Sequence, residues 1–138
     1  MRALLLAALV ALLPIASAAA AGCNRFEWIK LAAEPISVEG GDVDLDVDPN
    51  AGGFYAVMFE VRDSNVAINN VRIVFKGGRV QSPKKEFVLG PSKSRAYVDF
   101  SQNLKEVERV EFTYRILRGT AIGEISFWGK QVIALTVC

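Results

Sequence analysis

Residues 109–115 read Arg109-Val110-Glu111-Phe112-Thr113-Tyr114-Arg115, with an apolar side chain at every second position and a polar one between. A period of two puts Val110, Phe112 and Tyr114 on one side of a strand and Arg109, Glu111, Thr113 and Arg115 on the other. One buried and one wet face is the pattern of an antiparallel sheet. The same grammar extends outward in both directions. Upstream, Ala96, Val98 and Phe100 alternate with Arg95, Tyr97 and Asp99; further back, Val71, Ile73 and Phe75 alternate with Arg72 and Lys76, and Tyr55, Val57, Phe59 and Val61 share a face. Val43, Leu45 and Val47 alternate with Asp42, Asp44, Asp46 and Asp48, and residues 25–31 open the series. Downstream come Ile125 and Phe127, an interruption at Gly129, and the β-branched run from Val132 to Val137. The punctuation is glycine, proline and asparagine: Asn69-Asn70, Gly77-Gly78 as a tight reversal, and Gly90-Pro91. No long helical period appears, although residues 103–107 have the composition of one helical turn. The chain is therefore expected to be all-β, a two-sheet antiparallel sandwich or jelly roll of about eight to ten strands.

The chain has 138 residues, 51% of them hydrophobic, which suits one domain. Residues 3–13 are unbroken aliphatic sequence after Arg2, followed by Pro14 and an alanine run. This predicts a secretory signal peptide over residues 1–21 and a single sandwich domain over residues 22–138. Residues 3–21 are also long enough to span a bilayer, but Pro14 and the alanines argue against an uncleaved anchor. With Arg2 removed from the 16 basic residues, those that remain balance 15 acidic ones, so no basic excess is left to hold a nucleic acid. The balance is uneven along the chain. Residues 24–63 carry nine acids against three bases, and residues 64–100 carry seven bases against two acids, a pattern of surfaces that neutralise one another across strands or of a charged binding face.

Two cysteines, Cys23 and Cys138, stand at the ends of the expected mature chain. An even count in an exported protein favours a disulfide, which would close nearly the whole domain and place it in the periplasm or outside the cell. The rival is lipidation of Cys23, because Ala20-Ala21-Gly22-Cys23 is similar to a lipoprotein cleavage box; only then would a membrane be a partner. Ala20 stands where leucine is usual, and lipidation would leave Cys138 unpaired.

The order of motifs, from Trp28-Ile29-Lys30-Leu31 through NNVRIVFKGG (69–78), VLGPSKSRAYVDF (88–100) and ERVEFTYR (108–115) to EISFWGK (124–130), resembles a family of small exported bacterial β-sandwich proteins of unknown function. The likeness covers residues 26–130. Gly77 or Gly78, Gly90, Ser94, Arg95 and Asp99 fit its pattern. It implies the sandwich and export, and brings no catalytic residues with it.

Without histidine, no Ser-His or Cys-His nucleophile can be built, and the usual zinc ligand sets are missing. Asp42, Asp44, Asp46 and Asp48 supply hard oxygen ligands, so a calcium site is one reading of that strand. Counting twelve from Asp42, however, gives Val47 and Gly53 where an EF-hand needs glycine and glutamate. The other reading is a charged edge that discourages pairing with a second sheet. A glycosidase would need two facing carboxylates, for which Glu60, Asp63, Glu86, Asp99, Glu108, Glu111 and Glu124 are candidates. Trp28, Tyr55, Tyr97, Tyr114 and Trp128 could stack on sugar rings; Trp128, out of phase with Ile125 and Phe127, is expected to face outward beside Arg109 or Arg115 as a ligand platform. The sequence thus points to a non-catalytic binding, adhesion or envelope-associated module whose partner is a glycan or an envelope protein. The alternatives are a carboxylate-based carbohydrate hydrolase and a calcium-stabilised binding domain.

Overall fold

A computed structural model of the protein describes residues 23–119 and 121–135. The signal peptide expected over residues 1–21 and the thiol of Cys138 lie outside them. Alternation is realised as strands: Val110, Phe112 and Tyr114 are buried while Arg115 is exposed, and the full order is β1 (Cys23–Pro35), β2 (Gly41–Asp46), β3 (Gly53–Phe54), β4 (Ala56–Glu60), β5 (Asn65–Phe75), β6 (Val80–Gln81), β7 (Phe87–Leu89), β8 (Arg95–Asp99), β9 (Lys105–Arg118) and β10 (Glu124–Leu135). Residues 103–107 form no helical turn. β9 already begins at Lys105: a register shift against β5 between Val74 and Phe75 turns Val107 inward as well as Val110, and its burial outweighs local helical preference.

The strands form two antiparallel sheets. One runs β1-β10-β4-β8. In the other, β9 and β5 are central, β2 and β3 lie end to end along the free side of β9, and β6 and β7 lie end to end along the free side of β5. Taken as eight rows in chain order, the sheets read 1-8-3-6 and 2-7-4-5, the double Greek key of a jelly roll. Every connection between rows crosses from sheet to sheet except the β5–β6 hairpin. There Gly77 and Gly78, at φ 98° and 94°, make the reversal that only glycine accepts without strain.

The core lies between the sheets. Val57, Phe59, Ile125 and Phe127 descend from the first sheet onto Ile68, Ile73, Val110 and Phe112 of the second. Phe59 lies 5.3 Å from Phe112 and 5.3 Å from Phe127, both within the range of favourable ring pairs. Gly129 does not interrupt β10, which continues through it. It takes the inward position after Ile125 and Phe127, and the ring of Phe54 fills the space its missing side chain leaves: an added Cβ would stand 2.5 Å from Phe54 Cδ1. Gly129→Ala should therefore overpack the core and lower the unfolding free energy by about 1–3 kcal/mol in denaturant titration. An unchanged midpoint would mean that Phe54 moves aside freely.

Candidate functional site

Because Val57 and Phe59 point inward, their neighbours Ala56, Met58 and Glu60 must point outward, and the register fixes what stands beside them. Across the first sheet, Lys30, Trp128, Met58 and Tyr97 form one row on the outer face. Trp28, Lys130, Ala56 and Asp99 form the next row. Ser126, Glu60 and Arg95 lie on the other side of the first, and Phe26 extends the face beyond Trp28. Rows on one face are about 7 Å apart, so these four span about 20 Å.

This outer face is not the solvated surface that a sandwich usually presents. Met58, Ala56 and Glu60 are all buried. The rings of Trp28 and Tyr97 lie 5.6 Å apart although their strands are at opposite edges of the sheet. Three strand spacings amount to about 14 Å, so both side chains must lie along the sheet and meet above β10 and β4. They roof Ala56 and Met58, while Tyr97 itself remains 52% exposed. The indole Nε1 of Trp128 is buried without a hydrogen-bond partner among the described residues.

A hollow opens at each end of this aromatic ridge. One, of about 670 Å³, has Phe26, Tyr55, Asp99, Gln102 and Lys130 on its walls. Phe26 meets Tyr55 edge to face at 6.3 Å, and the Lys130 ammonium stands 4.3 Å from the centre of the Phe26 ring. Ser101 and Gln102 form its rim with φ values of 53° and 63°, a backbone conformation that non-glycine residues adopt rarely. The other hollow, of about 330 Å³, is bordered by Lys30, Glu60, Arg62, Asp63, Glu124 and Trp128. Glu60 accepts from Arg95 Nε at 2.8 Å and from Arg62 at 3.4 Å, which compensates for its removal from water. Lys30 donates to Glu124, and this bond, with a further one from the Ser126 hydroxyl, holds the Glu124 carboxyl below its ordinary value.

The expected platform is thus only partly assembled. Trp128 faces outward, as its phase implies, and Trp28 and Tyr97 share its sheet; Tyr55, expected on one face with Val57 and Phe59, instead sits at the bend between β3 and β4 with its ring against Phe26. Arg109 and Arg115 do not join it. They project from β9 on the outer face of the second sheet, because the chain crosses between sheets after β9 instead of turning back beside it. Tyr114 is in the core, its hydroxyl accepting from Ser37 N at 2.8 Å. Burial of Met58 and Glu60 had no local signal in the sequence.

Asp42, Asp44 and Asp46 are exposed along the edge strand β2, opposite Thr113, Glu111 and Arg109. Asp48 lies beyond the strand, where its Oδ1 accepts from Asn50 N at 2.8 Å. Arg109 is bonded to Glu111 at 3.0 Å, and Asp44 and Glu108 add to the field that keeps its guanidinium charged. Among the described residues no three acidic or cysteine side chains gather closely enough to hold a metal ion.

No protein-family model matches the chain, and no curated protein matches it. A chain in the structure of infectious bursal disease virus Gx strain superposes with a TM-score of 0.33 and 10% identity, over 80% of this chain and 32% of its own length; a likeness of that size carries no argument.

Two outcomes are expected. Thermal melts in calcium and in chelator should have the same midpoint, whereas a rise of several degrees with calcium would show that the Asp42–Asp46 edge holds a cation. Arg95→Met should lower the melting temperature more than Glu60→Gln, since the first strands a buried carboxylate and the second removes the charge that needs a partner. The reverse order would mean that Glu60 is not held by Arg95.

Proposed function

We propose that the protein is an exported, non-catalytic binding module that takes an oligosaccharide along the outer face of the β1-β10-β4-β8 sheet. The observation that carries this reading is the position of Trp28 and Trp128, the chain's two tryptophans, on one outer face with Tyr97, Tyr55 and Phe26. Aromatic faces stack on the apolar sides of pyranose rings, and a few polar groups fix their orientation. Here Asp99, Lys130 and Gln102 stand at one end, and Lys30, Glu124 and Arg62 at the other. A length of about 20 Å suits several sugar units in a row rather than one.

Hydrolysis is the weaker reading of the same face. Glu60 and Glu124 share a hollow, but Glu60 is held by two arginines and Glu124 is kept ionised by Lys30. A general acid needs the opposite environment, one that raises its pKa. Export, and either closure of the domain by Cys23 and Cys138 or anchoring through a lipidated Cys23, complete the proposal.

Since both tryptophans lie on this face, intrinsic fluorescence reports on it directly. Titration with hexasaccharides of glucose, xylose and N-acetylglucosamine should give a saturable change with at least one of them. Trp28→Ala and Tyr97→Ala should each weaken that binding by about tenfold or more while the fold persists. Flat titrations with all three at millimolar concentration would sink the glycan reading and turn attention to an envelope protein as the occupant.

A further inference from the structure

In the second sheet, a gap in the hydrogen-bond ladder coincides with a cluster of cations. β7 pairs with residues 66–68 of β5 and β6 with residues 73–74, so residues 69–72 have no strand beside them on that edge. The connection through residues 82–86 passes by, and no backbone hydrogen bond joins it to residues 69–72. β5 also bulges there: Asn69 lies opposite Thr113 and Arg72 opposite Glu111, and Asn70 takes φ 52° to absorb the extra residue. Bulges of this kind re-aim side chains and end pairing. The result is a cleft of about 480 Å³ whose walls include Asn69, Asn70, Arg72, Ser82, Lys84 and Lys85.

The charges in the cleft are unequal. Its one carboxylate, Glu86, is drawn toward Arg115 at 3.5 Å. Arg72 holds Glu111 at 3.0 Å, and the Lys85 ammonium rests 5.0 Å from the centre of the Phe87 ring. Lys84 has no ion-pair or hydrogen-bond partner among the described residues. Lys84 and Lys85, the Arg72 guanidinium shared with Glu111, the Asn69 side chain, the Ser82 hydroxyl and a stretch of unpaired sheet edge border one space, while the Asn70 amide donates to Thr113 Oγ1 at 3.1 Å. That is the donor set of an oxyanion site. It also gives a location to part of the basic excess of residues 64–100: Arg72, Lys84 and Lys85 gather here, whereas Lys76 and Arg79 border a separate hollow with Lys105.

We infer that this cleft binds a phosphate or sulfate group. Its volume exceeds that of the bare tetrahedral ion and leaves room for a carrier, so an ester on a larger molecule fits better than the free ion. The site is on the opposite outer face from the aromatic ridge and does not depend on the glycan reading.

Calorimetry on the whole protein at low salt tests it, with O-phosphoserine, glycerol 3-phosphate, inorganic sulfate and inorganic phosphate as probes and serine and glycerol as controls. The charged esters should bind and the controls should not. The affinity should fall as salt rises. Lys84→Gln combined with Lys85→Gln should weaken binding by about tenfold or more, and Lys84→Glu further, while Lys76→Gln, which removes a cation from the separate hollow, leaves it unchanged. Both lysines are exposed, so melting temperatures should stay the same. Equal affinity for inorganic phosphate would support the oxyanion site and name the free ion as its occupant. Absence of binding by every charged probe, or unchanged affinity in the double lysine variant and in Arg72→Gln, would overturn it.

Discussion

The ring of Phe59 is the contact on which the rest of the molecule is aligned. It sits on β4 inside the first sheet, touches Phe127 on the neighbouring β10, reaches across the sandwich to Phe112 on β9 with its plane nearly perpendicular, and lies 6.2 Å from Phe87. Side chains alternate along a strand with a period of two, so this one inward residue settles the phase of all of β4. Val57 and Val61 follow it into the core. Met58 and Glu60 are forced outward, and the register with β10 and β8 then decides that Trp128, Tyr97 and Arg95 stand beside them. A slip of one residue would bring Glu60 into the core and expose Phe59, a change too unfavourable to compete with the native pairing.

That constraint makes the outer face of the first sheet costly unless something covers it. An antiparallel sheet with one wet face normally carries polar residues there. Here β4 brings an alanine, a methionine and a glutamate to the outside, and all three are buried. The two apolar ones are covered by Trp28 and Tyr97 meeting from opposite edges. The glutamate is satisfied by Arg95 from the adjacent strand and Arg62 two residues along its own chain. The ridge is therefore partly a structural device. What it does not cover is equally informative, since more than half of Tyr97 and of Phe26 remains open to solvent. Large aromatic surface left exposed beside charged groups is what ligand-binding faces present.

Much of the fold was legible because local alternation alone determines it. Val110, Phe112, Tyr114, Ile125 and Phe127 could be placed in the core from their spacing, and the Gly77-Gly78 reversal from the backbone freedom of glycine. Trp128 could be turned outward on the same argument. Its neighbours could not be named, because spacing says which side of a strand a residue faces and nothing about which sheet the strand enters. Treating β9 and β10 as neighbours puts Arg109 and Arg115 beside Trp128; the jelly-roll crossover puts them on opposite faces. Gly129 looked like an interruption for a related reason. Its role is to make room for Phe54, a residue 75 positions away whose contact only the tertiary structure reveals.

The two sheets differ in a way that bears on what each can bind. In the first, rows run unbroken from edge to edge except for a register shift in β1, and the product is a long continuous face. In the second, both outer rows are broken, β2 from β3 and β6 from β7; Val47 N bonds Glu108 O at 2.9 Å in the first break, whereas the second leaves residues 69–72 of β5 without a neighbouring strand. A continuous face offers stacking along its length and suits an extended chain. A break in a ladder offers unpaired backbone groups in a confined space and suits a compact polar group. Ligands of these two shapes would be held on opposite outer faces, with the packed core between them and no shared side chain. Sites so separated act additively.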